Sequence, residues 1–175
     1  QSLRKAFLRT PIRFARVSSG FNPGRMHPIL KKARAHKGVD YAAAQGTPIT
    51  ATGNGKIELL GKKGGYGNTI VIQHGSKYST LYAHLNSYGR GLKQGSRVRQ
   101  GQIIGYVGSS GLASGPHLHY EFRVDGVHRN PLTVKLPNAA PLPANYRDQF
   151  KLTSSNLLAQ LETAKTATVA ALQSD

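Results

Sequence analysis

The chain has 175 residues, with 24 Lys and Arg against seven Asp and Glu, seven histidines, no cysteine and a formal net charge of +17. This length suits one domain with a single core plus appendages, and no apolar run approaches the roughly 20 residues that a membrane-spanning helix needs. The lack of cysteine excludes the thiolate sites typical of structural zinc, so any metal site must be built from nitrogen and oxygen ligands.

Residues 1–17 are basic and carry no signal-peptide pattern, and the chain opens on Gln rather than Met. The expectation is an excised fragment, with a targeting segment, anchor or wall-binding module lying upstream. In Arg25-Met26-His27-Pro28 the proline fixes a loop, and His27 is left out of the ligand set. His36-Lys37-Gly38-Val39-Asp40 then places an imidazole and a carboxylate close together beside a glycine. Asp40 and Glu58 are the only acids before residue 121. Asp40 reads either as a generic counter-charge in a basic chain or, better suited to its position, as part of a ligand loop.

Short alternating segments separated by glycine follow: Pro48-Ile49-Thr50-Ala51-Thr52, Gly55-Lys56-Ile57-Glu58-Leu59-Leu60, Asn68 to His74, and Gln102 to Val107. They predict a mainly β, antiparallel core with tight turns. Gly64-Gly65-Tyr66-Gly67-Asn68 reads as a turn, with lining of a cleft wall as the second reading for Tyr66 and Asn68. His74, before Gly75-Ser76, reads as a surface turn residue. Tyr82-Ala83-His84-Leu85 puts His84 at or near the end of the next strand.

Ser114-Gly115-Pro116 forms a tight loop that delivers the strand His117-Leu118-His119-Tyr120-Glu121-Phe122-Arg123-Val124. Alternation sends Leu118, Tyr120, Phe122 and Val124 to an apolar face, and His117, His119, Glu121 and Arg123 to the other. Two imidazoles on one face are either metal ligands or polar residues on a solvated surface. Glu121 is either a carboxylate behind a ligand imidazole or a charge partner of Arg123. Asp125-Gly126 suits a tight hairpin turn, and Val127 to Pro131 is the return leg, where His128 reads as structural. Asn138 to Pro143, with two prolines, leaves the core within a strap spanning 138–152. A helix over 153–175 follows, capped by Thr153 or Ser154, with Leu157, Leu158, Leu161, Ala164 and Leu172 at helical spacing. It reads as amphipathic and packed on its own domain, ahead of a partner-binding helix.

Two imidazoles and a carboxylate, with a fourth position left to water, are what a catalytic zinc site commonly uses. His36-x-x-x-Asp40, Tyr82-Ala83-His84-Leu85 and Ser114-Gly115-Pro116-His117-Leu118-His119-Tyr120-Glu121 resemble the lysostaphin and LytM-type zinc endopeptidases that cut peptidoglycan peptides. The likeness extends through Gly38-Val39-Asp40-Tyr41-Ala42-Ala43, Gly65-Tyr66-Gly67-Asn68 and Gly101-Gln102-Ile103-Ile104-Gly105. It covers a core of about residues 18–137, and is strongest to Gram-negative murein DD-endopeptidases.

The resemblance implies a LytM-type antiparallel β-sandwich with a metal cleft, in which His36, Asp40 and His119 hold one Zn2+. It makes His84 and His117 the catalytic imidazoles. His117 is assigned as the base that orients water and His84 as the donor that steadies the oxyanion or leaving group, an order that can be reversed. Imidazole suits both tasks because its ordinary pKa of about 6.5 lets it accept and donate near neutrality. The implied partner is a peptidoglycan stem peptide, the bond D-Ala-diaminopimelate, and the location the periplasm or cell envelope of a Gram-negative bacterium. No membrane contact is expected within this fragment, and the oligomeric state stays open.

Three rivals stand beside it: a non-catalytic peptidoglycan-binding or amidase-activating module, a glycyl-glycine endopeptidase, and a nucleic-acid-binding module suggested by the charge. Dispersed basic residues and the lack of an aromatic stacking motif argue against nucleic acid. A surface this basic would instead draw the carboxylates of peptidoglycan stems.

Overall fold

A computed structural model describes residues 6–24, 35–138 and 144–172. Two compact units form, residues 4–138 and a second unit, residues 1–3 and 139–175, that contains the one long helix among the described residues.

The first unit is built from strands β1 (Arg16–Ser19), β2 (Val39–Ala42), β3 (Pro48–Thr50), β4 (Gly55–Lys62), β5 (Asn68–His74), β6 (Tyr78–Ala83), β7 (Leu85–Tyr88), β8 (Arg97–Val98), β9 (Ile103–Val107), β10 (His117–Val124) and β11 (Val127–Arg129). Eight strands make an antiparallel sheet in the order β1-β2-β10-β6-β5-β4-β8, with β11 paired to β10, and β3-β9-β7 make a second, smaller sheet. Alternation explains how they pack. Ile49, Leu85, Ile104 and Val107 of the small sheet meet Tyr41, Ile70, Ile72, Tyr82, Leu118 and Tyr120 of the large one in a single core. Each such side chain removed from water contributes about 1.5–3 kcal/mol. The Tyr82 and Tyr120 hydroxyls are satisfied at Thr52, whose N–H donates to Tyr82 at 2.9 Å and whose hydroxyl lies 3.0 Å from both Tyr82 and Tyr120; the Tyr41 hydroxyl, also buried, meets no partner among the described residues.

The predicted mainly β core is therefore present, and β10 lies inside it. Its apolar face, Leu118, Tyr120 and Phe122, is buried as alternation requires, yet His119 and Glu121 on the other face are buried too. A solvated strand face is thereby excluded for them. The turn Asp125-Gly126 has φ of 50° and 77°, the left-handed pair that a two-residue hairpin needs.

His74 departs from its sequence reading. It is buried rather than a surface turn residue, with Nδ1 2.7 Å from the Asn54 carbonyl and Nε2 2.8 Å from the Thr80 hydroxyl. Phe7 packs against it at 4.9 Å between ring centroids, so a residue from the far N-terminal side covers this strand end. The C-terminal helix α1 spans Ala144–Leu172 and so begins within the stretch read as a strap. Tyr146, Phe150, Leu157, Leu158 and Leu161 are exposed along it.

Candidate metal centre

Sheet register assembles the site. His119 on β10 pairs with Asp40 on β2 to one side and with Ala83 on β6 to the other. His36 arrives just before β2, held by paired backbone bonds with Asn22, N–H to carbonyl in both directions at 3.0 and 2.7 Å. Three ligand atoms converge: His36 Nε2 and Asp40 Oδ1 are 3.0 Å apart, His119 Nδ1 and Asp40 Oδ1 2.8 Å, and His36 Nε2 and His119 Nδ1 3.2 Å. In a tetrahedral site with ligand distances of about 2.0–2.1 Å, ligand atoms stand about 3.3 Å from one another. The triangle is close to that size.

The remaining nitrogens decide what the triangle wants. His36 Nδ1 donates to the Gly20 carbonyl at 2.6 Å, and His119 Nε2 donates to Glu121 at 3.2 Å. When neutral, both rings therefore turn a bare lone pair toward the Asp40 carboxylate. Three acceptors facing one point with no proton to share call for a cation. The titration tendencies agree. Burial pushes the Asp40 pKa up, but hydrogen bonds with His119 and His36 win and hold it well below the usual carboxylate range. Burial pulls His119 down, and Asp40 and Glu121 reverse this and raise it. The pocket attracts positive charge.

Glu121, fully buried, anchors the back of the site. It accepts from His119, from the Tyr66 hydroxyl at 2.7 Å, from Arg123 Nε at 3.0 Å and Arg123 Nη2, and from His128 Nε2 at 3.1 Å. Against the upward push of burial, its bonds with His119 and Tyr66 and the Arg123 charge hold its pKa at about 2. Both sequence readings of Glu121 are thus realised at once: it backs the imidazole and pairs with Arg123. His128, read as purely structural on the hairpin, joins the same network. Tyr66 builds the 3-10 turn Gly64–Tyr66 and also reaches the site through its hydroxyl. Asn68 does not; its side chain donates to the Leu85 carbonyl at 3.0 Å.

His84 occupies the corner where the chain passes from β6 in the large sheet to β7 in the small one. Continued alternation after Ala83 would send residue 84 into the core. Its φ of 61° breaks the alternation and brings the ring beside His117, with centroids 4.7 Å apart. A non-glycine residue in that region costs roughly 1–3 kcal/mol, offset here by His84 N–H donating to Tyr66 at 2.9 Å and Nδ1 donating to the Ser110 carbonyl at 2.8 Å. The Ser110 carbonyl is available because two glycine loops pack backbone to backbone. A Cβ on Gly67 would meet Gly111 N at 2.6 Å, and one on Gly111 would meet Gly65 O at 2.6 Å. His117 Nδ1 likewise donates to a carbonyl, that of Gly115 at 2.8 Å. Among the described residues, both rings therefore keep Nε2 free. Burial, chiefly, lowers the His84 pKa to about 4, with the neighbouring His117 and His119 pulling the same way, so it rests neutral.

All five residues singled out by sequence, His36, Asp40, His84, His117 and His119, thus gather at one place. His27 lies outside the described residues. Sequence reasoning missed Gly20 and Ser110, and no side-chain pattern could have marked them, since each contributes a backbone carbonyl.

The sequence pattern of Peptidase family M23 matches residues 34–131, more than half of the chain and the whole of the site. The chain belongs to peptidase family M23. Over 162 residues the M23 chain is 46% identical to the peptidoglycan DD-endopeptidase ShyC of Vibrio cholerae, an alignment covering 93% of this chain and 37% of ShyC. It therefore spans little more than a third of that relative's length. Among solved structures it is similar to a zinc-containing peptidase from Vibrio cholerae, with 38% identity and a TM-score of 0.71 over 78% of this chain and 42% of that one. It is also similar to the catalytic domain of lysostaphin from Staphylococcus simulans, with 31% identity and a TM-score of 0.59 over 67% of this chain and 90% of that one.

Proposed function

We propose that this chain is the catalytic part of a zinc-dependent endopeptidase that hydrolyses D-Ala-diaminopimelate crosslinks of peptidoglycan in the periplasm or envelope of a Gram-negative bacterium. The observation that carries the reading is the pairing of two devices within one pocket. A triangle of His36 Nε2, Asp40 Oδ1 and His119 Nδ1 lies beside two further imidazoles, His84 and His117, whose Nε2 atoms are free among the described residues. A non-catalytic module has no use for the second device. Kinship with a DD-endopeptidase supports the bond, and the nitrogen and oxygen donors suit zinc.

When bound, a zinc ion supplies Lewis acidity, polarising a carbonyl and making water nucleophilic near neutral pH. His36, Asp40 and His119 hold the ion, and Glu121 keeps the His119 ring turned so that Nδ1 faces it. His117 and His84 handle protons. Each has Nδ1–H committed to a backbone carbonyl, so in the resting protein each presents an acceptor at Nε2. One ring takes the proton of the attacking water, and a protonated ring then delivers it to the leaving amine. With a pKa near 4, His84 becomes a donor only after gaining a proton during turnover.

The test is metal analysis of the purified chain, joined to turnover of a D-Ala-diaminopimelate crosslinked dimer offered beside a pentaglycine peptide. One zinc per chain and cleavage of the dimer alone are expected. A chain that binds no zinc, or a His119→Ala variant that cleaves as fast as wild type, would sink the enzyme. Preference for pentaglycine would retain the chemistry and change the substrate.

A further inference from the structure

The face of the large sheet that carries His117, His119 and Glu121 continues well beyond the metal centre. Register traces one row straight across it: Arg123 pairs with Ser79, Ser79 with Gln73, Gln73 with Lys56, and Lys56 with Arg97. Cross-strand partners share a face, so these five residues form a polar and basic ladder from β10 to β8. It spans about 19 Å at the usual strand spacing. One end is Arg123, which holds Glu121 behind the metal ligand His119. The other end opens into a groove of about 1170 Å³, lined by Lys56, Gln73, Arg97, Arg99 and Gln102 and by a single carboxylate, Glu58.

That far end is built against its own electrostatics. Lys56 and Arg97 stand directly opposite each other, a like-charge pair that destabilises a sheet. No ion pair joins either of them, or Arg99, to an acid among the described residues. All three are exposed. Opposed cations with the Gln73 and Gln102 amides in the same groove suit an anionic ligand with spaced charges.

We propose that Lys56, Arg97 and Arg99 form a second contact site for peptidoglycan, taking the carboxylates of stem peptides neighbouring the crosslink held at the metal centre. This rests on the peptidoglycan reading given above, and adds to it a site remote from the chemistry. The occupant follows from continuity and charge. A polymer entering the cleft and lying along this face meets the ladder, and the stem peptides of that polymer carry carboxylates.

The experiment measures sedimentation of the whole chain with purified sacculi at low ionic strength. It compares wild type, a Lys56→Glu/Arg97→Glu/Arg99→Glu variant, and a charge-matched control, Arg13→Glu/Arg90→Glu/Lys135→Glu, altered at exposed positions outside the groove. The groove variant should bind about tenfold more weakly than the control, the size that the loss of several exposed ion pairs allows. Sacculi whose carboxylates have been amidated should bind wild type no better than untreated sacculi bind the groove variant. Equal binding by groove and control variants, or undiminished wild-type binding to amidated sacculi, overturns the site. Wild-type turnover of the soluble dimer tests the peptidase reading by itself, so the two ideas fail separately.

Discussion

His117 and His119 stand two residues apart on β10 and differ in what the second nitrogen of each ring does. His119 gives Nε2 to Glu121 and aims Nδ1 at Asp40, whereas His117 gives Nδ1 to Gly115 and keeps Nε2 free. His119→Ala should accordingly lose both metal and activity. His117→Ala should retain its metal and lose turnover by about 10²–10⁴-fold, the usual worth of a positioned acid or base. Metal analysis beside dimer hydrolysis separates the two, and equal loss of metal in both variants would show the pair wrongly divided. Glu121 gives a second prediction, about acid. Its pKa falls from an ordinary 4.5 to about 2 on folding, so between those values the unfolded chain binds the proton and the native one does not. The stabilisation is complete above pH 4.5 and drains away as pH falls toward 2. For the metal-free chain it is on the order of 3 kcal/mol. Urea midpoints followed over that range should fall with acid, and Glu121→Gln should flatten the fall. An unchanged slope in the variant would remove Glu121 as its source.

At the level of elements, β10 is the strand on which the site depends, because pairing on both sides fixes its height relative to β2 and β6. Gly38, at the entry to β2, sets how closely β2 and β10 approach. A Cβ there would run into the Tyr120 carbonyl and come within 2.8 Å of the His119 ring. Gly38→Ala should therefore push His119 out of alignment, weakening zinc binding by about 10–100-fold and costing about 1–3 kcal/mol of stability. Competition with a chelator and urea unfolding measure the two effects. An alanine variant matching wild type in both would show that the strands can separate at no cost. The His84 corner depends on a different device, a left-handed residue held by two carbonyls where one sheet hands the chain to the other.

For the whole molecule, the core residues and all five site residues lie within the unit spanning 4–138. A chain ending at Asn138 should therefore keep one metal per chain and a single cooperative unfolding transition. Calorimetry and metal analysis check this, and loss of cooperativity on removing α1 would show that the helix completes the core. Tyr146, Phe150, Leu157 and Leu161 are exposed along that helix. Periodicity says which residues share a helix face, and leaves open what covers them.

Much of the protein is legible in its amino-acid sequence. Alternation in Asn68 to His74 and His117 to Val124 marks strands, and the β-core follows because a period of two admits no other regular element. Donor chemistry marks His36, Asp40 and the pair His117 and His119 as metal-seeking, since imidazole and carboxylate carry their function in their own atoms, and only the resemblance to LytM-type endopeptidases singles out His119 within the pair. Tertiary structure alone decides the rest. Whether His74 meets water depends on Phe7, distant in sequence and packed against it. Which nitrogen of each histidine faces the candidate metal centre or the cleft depends on carbonyls at Gly20, Gly115 and Ser110 and on the Glu121 carboxylate. Backbone carbonyls are the same at every residue, so no sequence pattern distinguishes those that fix a tautomer; only the folding of the chain brings them to the ring.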